Sequence, residues 1–189
     1  IRLGYFNEKT SEEFDAVVRD IKRVMVQPRG IVLDMRSNPG GILDESVLVA
    51  SAWTGDKVVV RERSADSSMH DIKGKGNAVF AQVPTVILVD EGTASAAEIV
   101  SGALQDYKLA RLVGAKTYGK GSVQDVEPLP DGSALKLTIA KWLTPNNREI
   151  DGVGIQPDFI VDPMFKQSGT NPADITDLGL AQALKMIAE

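Results

Sequence analysis

Pro84-Thr85-Val86-Ile87-Leu88-Val89-Asp90-Glu91-Gly92-Thr93-Ala94-Ser95-Ala96-Ala97-Glu98-Ile99-Val100 decides the fold of this chain. The first part is a short, unbroken apolar run introduced by proline, and it reads as a buried strand over Thr85 to Asp90. After Glu91-Gly92-Thr93 the spacing predicts a helix from about Ala94 to Asp106. Strand, tight turn and helix in succession form the recurrent unit of α/β proteins. Ser95 stands at the junction among small residues. Such a junction exposes a hydroxyl and aims the first free backbone N–H groups of the helix at whatever lies beside it.

The same unit recurs on either side. Upstream, Phe14, Val17, Val18, Ile21, Val24 and Met25 mark an amphipathic helix over Thr10 to Met25, with Thr10 and Glu13 as a capping box. An opening strand-like IRLGYF precedes it. Ile31 to Met35 reads as a second buried strand, ending on Arg36-Ser37-Asn38-Pro39-Gly40-Gly41, with a helix from about Asp44 to Trp53 after it. Lys57 to Arg63 suggests a strand, and the polar stretch Ser64 to Gly76, which contains His70, an exposed hairpin tip or mobile loop. Downstream, Leu112 to Gly114 returns as a strand. Val123 to Leu129 pairs with Ala134 to Leu143 across Pro130-Asp131-Gly132, and Leu135, Leu137 and Ile139 alternate with polar or small residues as in a half-buried strand. Asn146 to Asp162 reads as an ordered loop with a short strand at Phe159 to Val161. Residues 166–172 read as a connector, followed by a helix from about Ala173 to Ala188. This organisation divides the chain into a core over residues 1–162 and, over 163–189, a connector with a helix that packs on the core or on a partner.

Composition removes several function classes. The 189 residues are 43% hydrophobic and 25% charged with a net charge of -5, so one sizeable core is expected and no basic footprint for nucleic acid exists. There is no cysteine and only one histidine, which rules out disulfides, thiol nucleophiles and the usual multi-histidine zinc centre. No apolar run approaches the roughly 20 residues that span a bilayer. The N-terminus lacks the basic and apolar regions of a signal peptide and reads as the interior of a longer protein.

Ser95-Ala96-Ala97-Glu98 also matches the capping-box pattern S-x-x-E, so the segment alone leaves Ser95 open as a helix cap or a nucleophile. A serine nucleophile needs a base. With no histidine in a structured segment, that base must be a lysine held neutral by a desolvated site, and lowering a lysine by about three units costs about 4 kcal/mol. Lys120 suits this demand best, lying in Thr117-Tyr118-Gly119-Lys120-Gly121-Ser122 between glycines and apolar strands. Gly114 to Lys120 also has the G-x-x-x-x-G-K spacing of a phosphate loop, but Gly121 stands where that loop needs Ser or Thr, and a strand follows instead of a helix.

Taken together, Leu33 to Gly41 (LDMRSNPGG), Glu91 to Asp106 (EGTASAAEIVSGALQD), Gly119 to Gln124 (GKGSVQ) and Pro145 to Asp158 (PNNREIDGVGIQPD) resemble the successive motifs of the carboxyl-terminal processing peptidases. The resemblance covers most of residues 1–162 in the family's order. It implies an α/β fold with a mixed, spiralled sheet packed by helices, similar to the crotonase and Clp protease superfamily. It implies Ser95 as nucleophile, Lys120 as base and Gln124 as the residue positioning the lysine. The oxyanion hole would use the backbone N–H of Ala96 with one from Gly40 or Gly41. No metal or organic cofactor is implied. The implied substrates are proteins with apolar C-terminal tails, captured by a PDZ domain expected upstream, and the implied location is outside the cytoplasm. Ligand-binding modules of the same fold, such as the retinoid-binding units of photoreceptor matrix, do not need an intact Ser/Lys/Gln set.

Overall fold

The computed structural model describes residues 1–24, 28–167 and 174–189. Met25 of the expected first helix, residues 168–172 of the expected connector and Ala173 lie outside the described residues. The elements are α1 (Thr10–Val24), β1 (Ile31–Asp34), α2 (Leu43–Thr54), β2 (Val58–Ser64), β3 (Met69–Lys73), β4 (Thr85–Val89), α3 (Ala96–Asp106), β5 (Arg111–Gly114), β6 (Ser122–Pro128), β7 (Ala134–Leu143), β8 (Phe159–Ile160), β9 (Phe165–Gln167), β10 (Ile175–Asp177) and α4 (Leu178–Ala188).

The α/β reading holds, and the mixture of strand directions is partitioned between sheets. One sheet, in the order β1-β4-β5-β8, is parallel throughout; a second, β3-β2-β7-β6, is antiparallel. The opening segment lies beside β1, bridging it at Arg2–Asp34 and reaching Gly41 from Phe6. β4 is central and buried at every position, apolar from Val86 to Val89, because both of its faces are covered. Ile87 and Val89 join the main core with residues of α2 and α3, whereas Val86 and Leu88 meet Ala183 and Met186 of α4. The C-terminal helix α4 therefore packs on the parallel sheet.

Several local expectations are corrected. Thr10 does not form a capping box with Glu13: its hydroxyl accepts the Asn7 N–H at 2.9 Å, and the Glu13 N–H goes to the Lys9 carbonyl. Of the two readings of residues 64–76 the hairpin holds, but it extends beyond a tip, since Met69 to Lys73 form β3 against β2, with His70 exposed opposite Glu62. The expected connector contains β9, which pairs antiparallel with β10. Leu135, Leu137 and Ile139 do alternate along β7, but they are exposed. β2 ends at Ser64, opposite Ala140, so the outer part of the β6–β7 hairpin stands clear of the rest of its sheet.

The parallel sheet sets the location of the site. β1, β4 and β5 are adjacent, so the loops leaving their C-terminal ends, over residues 35–42, 90–95 and 115–121, emerge side by side. Ligands bind in open α/β sheets at this end of the strands.

Candidate active site

Ser95 occupies the turn between β4 and α3 with φ 54° and ψ −120°, a left-handed φ that non-glycine residues rarely adopt. An ordinary N-cap sits in the β region. The S-x-x-E pattern is nevertheless real, for the Glu98 carboxylate accepts the Ser95 N–H at 2.9 Å. Ser95 is thus a helix cap held in an unusual backbone state, and backbone strain of this kind clusters at functional sites.

The 35–42 loop arches over this turn. Asn38 is fully buried; its side chain donates to the Leu3 carbonyl and accepts the Gly40 N–H at 2.9 Å, while its carbonyl accepts the Ala94 N–H. Asp90 knits the two loops, accepting the N–H groups of Ser37 and Gly92 at 2.7 and 3.0 Å. Gly40 lies so near that a Cβ placed on it would fall 2.7 Å from the Ser95 Cβ and 2.9 Å from the Ala96 N. Its own N–H is already committed to Asn38. The N–H groups of Gly41 and Ala96 have no hydrogen-bond partner among the described residues, which separates the two glycines that the sequence leaves equivalent.

Lys120 belongs to the third loop, which is fixed by Glu98. This fully buried carboxylate accepts from the Thr117 hydroxyl, from the Gly119 N–H at 2.7 Å and from the Lys120 N–H at 2.8 Å. Its Oε2 therefore binds the backbone N–H groups of both Ser95 and Lys120. The fourth motif supports the same loop: the Gly119 carbonyl accepts from Gly152, and the Thr117 hydroxyl accepts the Ile155 N–H at 2.7 Å. A Cβ on Gly121 would lie 2.3 Å from the Asp151 N, so only glycine fits this approach.

Two expectations about side chains differ from the structure. Lys120 is exposed rather than enclosed in an apolar site, because its flanking glycines bring the backbone close to its neighbours while the side chain faces outward. Gln124 is exposed too, beside an irregularity in the β6–β7 ladder at Val123/Gln124 that redirects side chains locally. No side-chain hydrogen bond joins Ser95, Lys120 and Gln124 among the described residues. The backbones of Ser95 and Lys120 are brought together through Glu98. No cluster of three or more potential metal ligands occurs among the described residues.

Sequence reasoning missed the roles of Asn38 and Asp90, and saw Glu98 only as a cap. An asparagine before proline and two glycines, and an aspartate closing an apolar run, are the faint signals that could have found the first two.

The α/β fold, in which adjacent parallel strands deliver a strained serine, a glycine turn and a lysine loop to one end, is of the crotonase and Clp protease type, and solved structures share the fold. The chain superimposes on a photosystem II D1 C-terminal processing protease with a TM-score of 0.79 at 32% identity, covering 95% of this chain and 45% of that one. An S41 protease of Bacteroides fragilis shares the fold at TM-score 0.72 and 18% identity, covering 98% of this chain and 53% of that one. The model of peptidase family S41 matches residues 1–161, and the chain belongs to that family. It is 40% identical over 166 residues to a carboxy-terminal-processing protease of Bartonella bacilliformis, covering 86% of this chain and 38% of that protein. It is 42% identical over 171 residues to a probable CtpA-like serine protease of Staphylococcus aureus, covering 89% and 34%. The chain thus spans little more than a third of the length of these relatives.

Proposed function

We propose that this chain is the core of a serine endopeptidase that cleaves proteins near their C-termini through Ser95 and Lys120. The observation that carries the reading is the single Glu98 oxygen holding both the Ser95 and Lys120 N–H groups, which ties the nucleophile's turn to the lysine's loop. Neutral Lys120 takes the Ser95 proton as Oγ attacks the scissile carbonyl. The tetrahedral oxyanion is met by the N–H groups of Ala96 and Gly41, whose freedom supports this pairing. Collapse breaks the C–N bond as protonated Lys120 gives its proton to the leaving amine, which releases the C-terminal fragment and leaves an acyl-enzyme on Ser95; Lys120, neutral again, takes a proton from the water that hydrolyses the ester and returns it to Ser95 Oγ. Gln124 holds the lysine once it has turned inward. Protein substrates with apolar tails, an upstream PDZ domain that captures them and a location outside the cytoplasm belong to the same reading.

The exposure of Lys120 favours a second reading, in which the core becomes competent only when a bound peptide or a further domain covers the lysine and desolvates it. A fluorophosphonate probe separates the two. It is expected to label one tryptic peptide, the one containing Ser95. Labelling that occurs only in the presence of an apolar-tailed peptide supports the second reading, whereas labelling elsewhere, or at Ser95 equally fast without Lys120, refutes the dyad.

Gly40→Ala probes the oxyanion turn. The positive φ of 99° and the Cβ contacts with Ser95 and Ala96 force the turn away from the nucleophile. Casein cleavage is expected to fall by about 10²- to 10³-fold, the usual cost of losing one oxyanion donor. Rates within threefold of the parent would show that the turn takes no part in catalysis.

A further inference from the structure

The family model ends at residue 161, yet one side chain beyond that limit reaches the loop that carries Gly40 and Gly41. The Arg36 guanidinium is held between two carboxylates. Nε and Nη2 donate to Asp34 at 2.8 and 2.6 Å, Nη1 donates to Asp177 Oδ1 at 2.9 Å, and Nη2 lies 2.8 Å from Asp177 Oδ2. The guanidinium also sits over the ring of Phe165, 5.0 Å from its centroid. Asp34 is the last residue of β1, only two positions from Arg36, so that pair shapes the turn locally. Asp177 ties the turn to an element 141 positions away. Asp177 is itself fixed: it caps α4, accepting the Leu180 N–H at 2.8 Å, and α4 packs on the central sheet.

The turn beyond Arg36 needs an external hold. Ser37, Gly40 and Gly41 all have positive φ, at 57°, 99° and 136°. Ser37 keeps such a conformation only where the surroundings over-determine it, and the two glycines, free to adopt positive φ, give the turn little stiffness of its own.

We infer that Asp177 is a positioning residue for the peptidase site: through Arg36 it keeps the 36–41 turn against Ser95, so the β9–β10–α4 segment is a working part of the catalytic core. This rests on the Ser95 reading above. Burial raises the Asp177 pKa, but the hydrogen bonds and charge of Arg36, with the N–H groups of Leu180 and Gly179, outweigh it and hold the group below its ordinary value. The clamp's contribution is therefore complete above the ordinary carboxylate value of about 4 and is lost only as pH falls through the lower folded value. It stays intact over the range in which Lys120 would be assayed.

Asp177→Asn separates positioning from capping, because asparagine caps a helix about as well as aspartate but cannot supply a charged partner to Arg36. The expected result is a fall in kcat on casein of about 10- to 100-fold with KM within twofold, from misplacement of the turn. Amide hydrogen exchange should rise about tenfold or more over residues 36–42 and stay unchanged over 178–188. Unchanged exchange over 36–42, or a rise confined to 174–189, overturns the inference and leaves Asp177 as a cap. The exchange measurement does not depend on activity, and Ser95→Ala assayed in parallel shows independently whether the Ser95 reading has failed.

Discussion

Ser95→Ala is expected to reduce casein cleavage by about 10⁴- to 10⁶-fold, Lys120→Ala by a similar amount, and the double substitution by no more than either alone. Without Oγ no acyl-enzyme forms, so the lysine has no proton to accept and its loss costs nothing further. Without the amine, a serine hydroxyl at neutral pH is too weak a nucleophile to use the oxyanion donors beside it. Alanine has the same aversion as serine to the left-handed φ at position 95, so the first substitution leaves backbone strain nearly unchanged. Its unfolding midpoint in urea should fall by no more than the loss of an N-cap hydroxyl explains, about 0.5–2 kcal/mol. Lys120→Arg is expected to be as inactive as Lys120→Ala, since guanidinium never gives up its proton in the accessible range. Additive losses, or full activity in either single variant, would exclude the dyad and leave Ser95 as the cap that its contact with Glu98 already makes it.

What could be read in the sequence and what could not divides along the range of the interactions. β4 and α3 were legible because burial on both faces writes a continuous apolar run and the helix writes its own period. The four motifs were legible as local patterns, and the structure brings all of them to one end of the parallel sheet. β3 was not: its residues are polar except Met69 and Ile72, and what makes it a strand is its backbone ladder with β2. β9 and β10 were hidden for the same reason, since three-residue strands that pair with each other leave no pattern. The exposure of Lys120 was misjudged because glycines mark close backbone approach without saying where the side chain between them points. The exposed apolar face of β7 was misjudged because alternation reports a strand's two faces but not whether anything covers them. Glu98 shows the limit most clearly. Its bond to Ser95 spans three residues and was visible as S-x-x-E; its bonds to Gly119 and Lys120 span 21 and 22 and exist only in the fold.

Glu98→Gln should therefore cost far more than an isosteric change on a helix normally does. Each carboxylate oxygen accepts two donors, Oε1 from the Thr117 hydroxyl and the Gly119 N–H, and Oε2 from the N–H groups of Ser95 and Lys120. A glutamine has one oxygen, so whichever way the amide is turned, its NH₂ meets a pair of donors and both are left without an acceptor in a buried place. Each unsatisfied group costs about 1–3 kcal/mol, and the expected destabilisation is about 2–4 kcal/mol after relaxation, read as a lower urea midpoint with an unchanged slope. Activity should fall further than stability explains. Turning the amide toward Ser95 and Lys120 pushes their N–H groups apart and opens the site, while turning it toward Thr117 and Gly119 releases the lysine's loop from below. Casein cleavage should drop by about 10³-fold or more, in line with displacing a catalytic group by an ångström or two. Glu98→Asp keeps both oxygens on a side chain one carbon shorter and cannot serve both loops, so it should lose activity as well. If Glu98→Gln folded with the parent's stability and cut casein within threefold of its rate, the carboxylate would be dispensable, and the juxtaposition of Ser95 and Lys120 would have to rest on the loop over residues 150–155 instead.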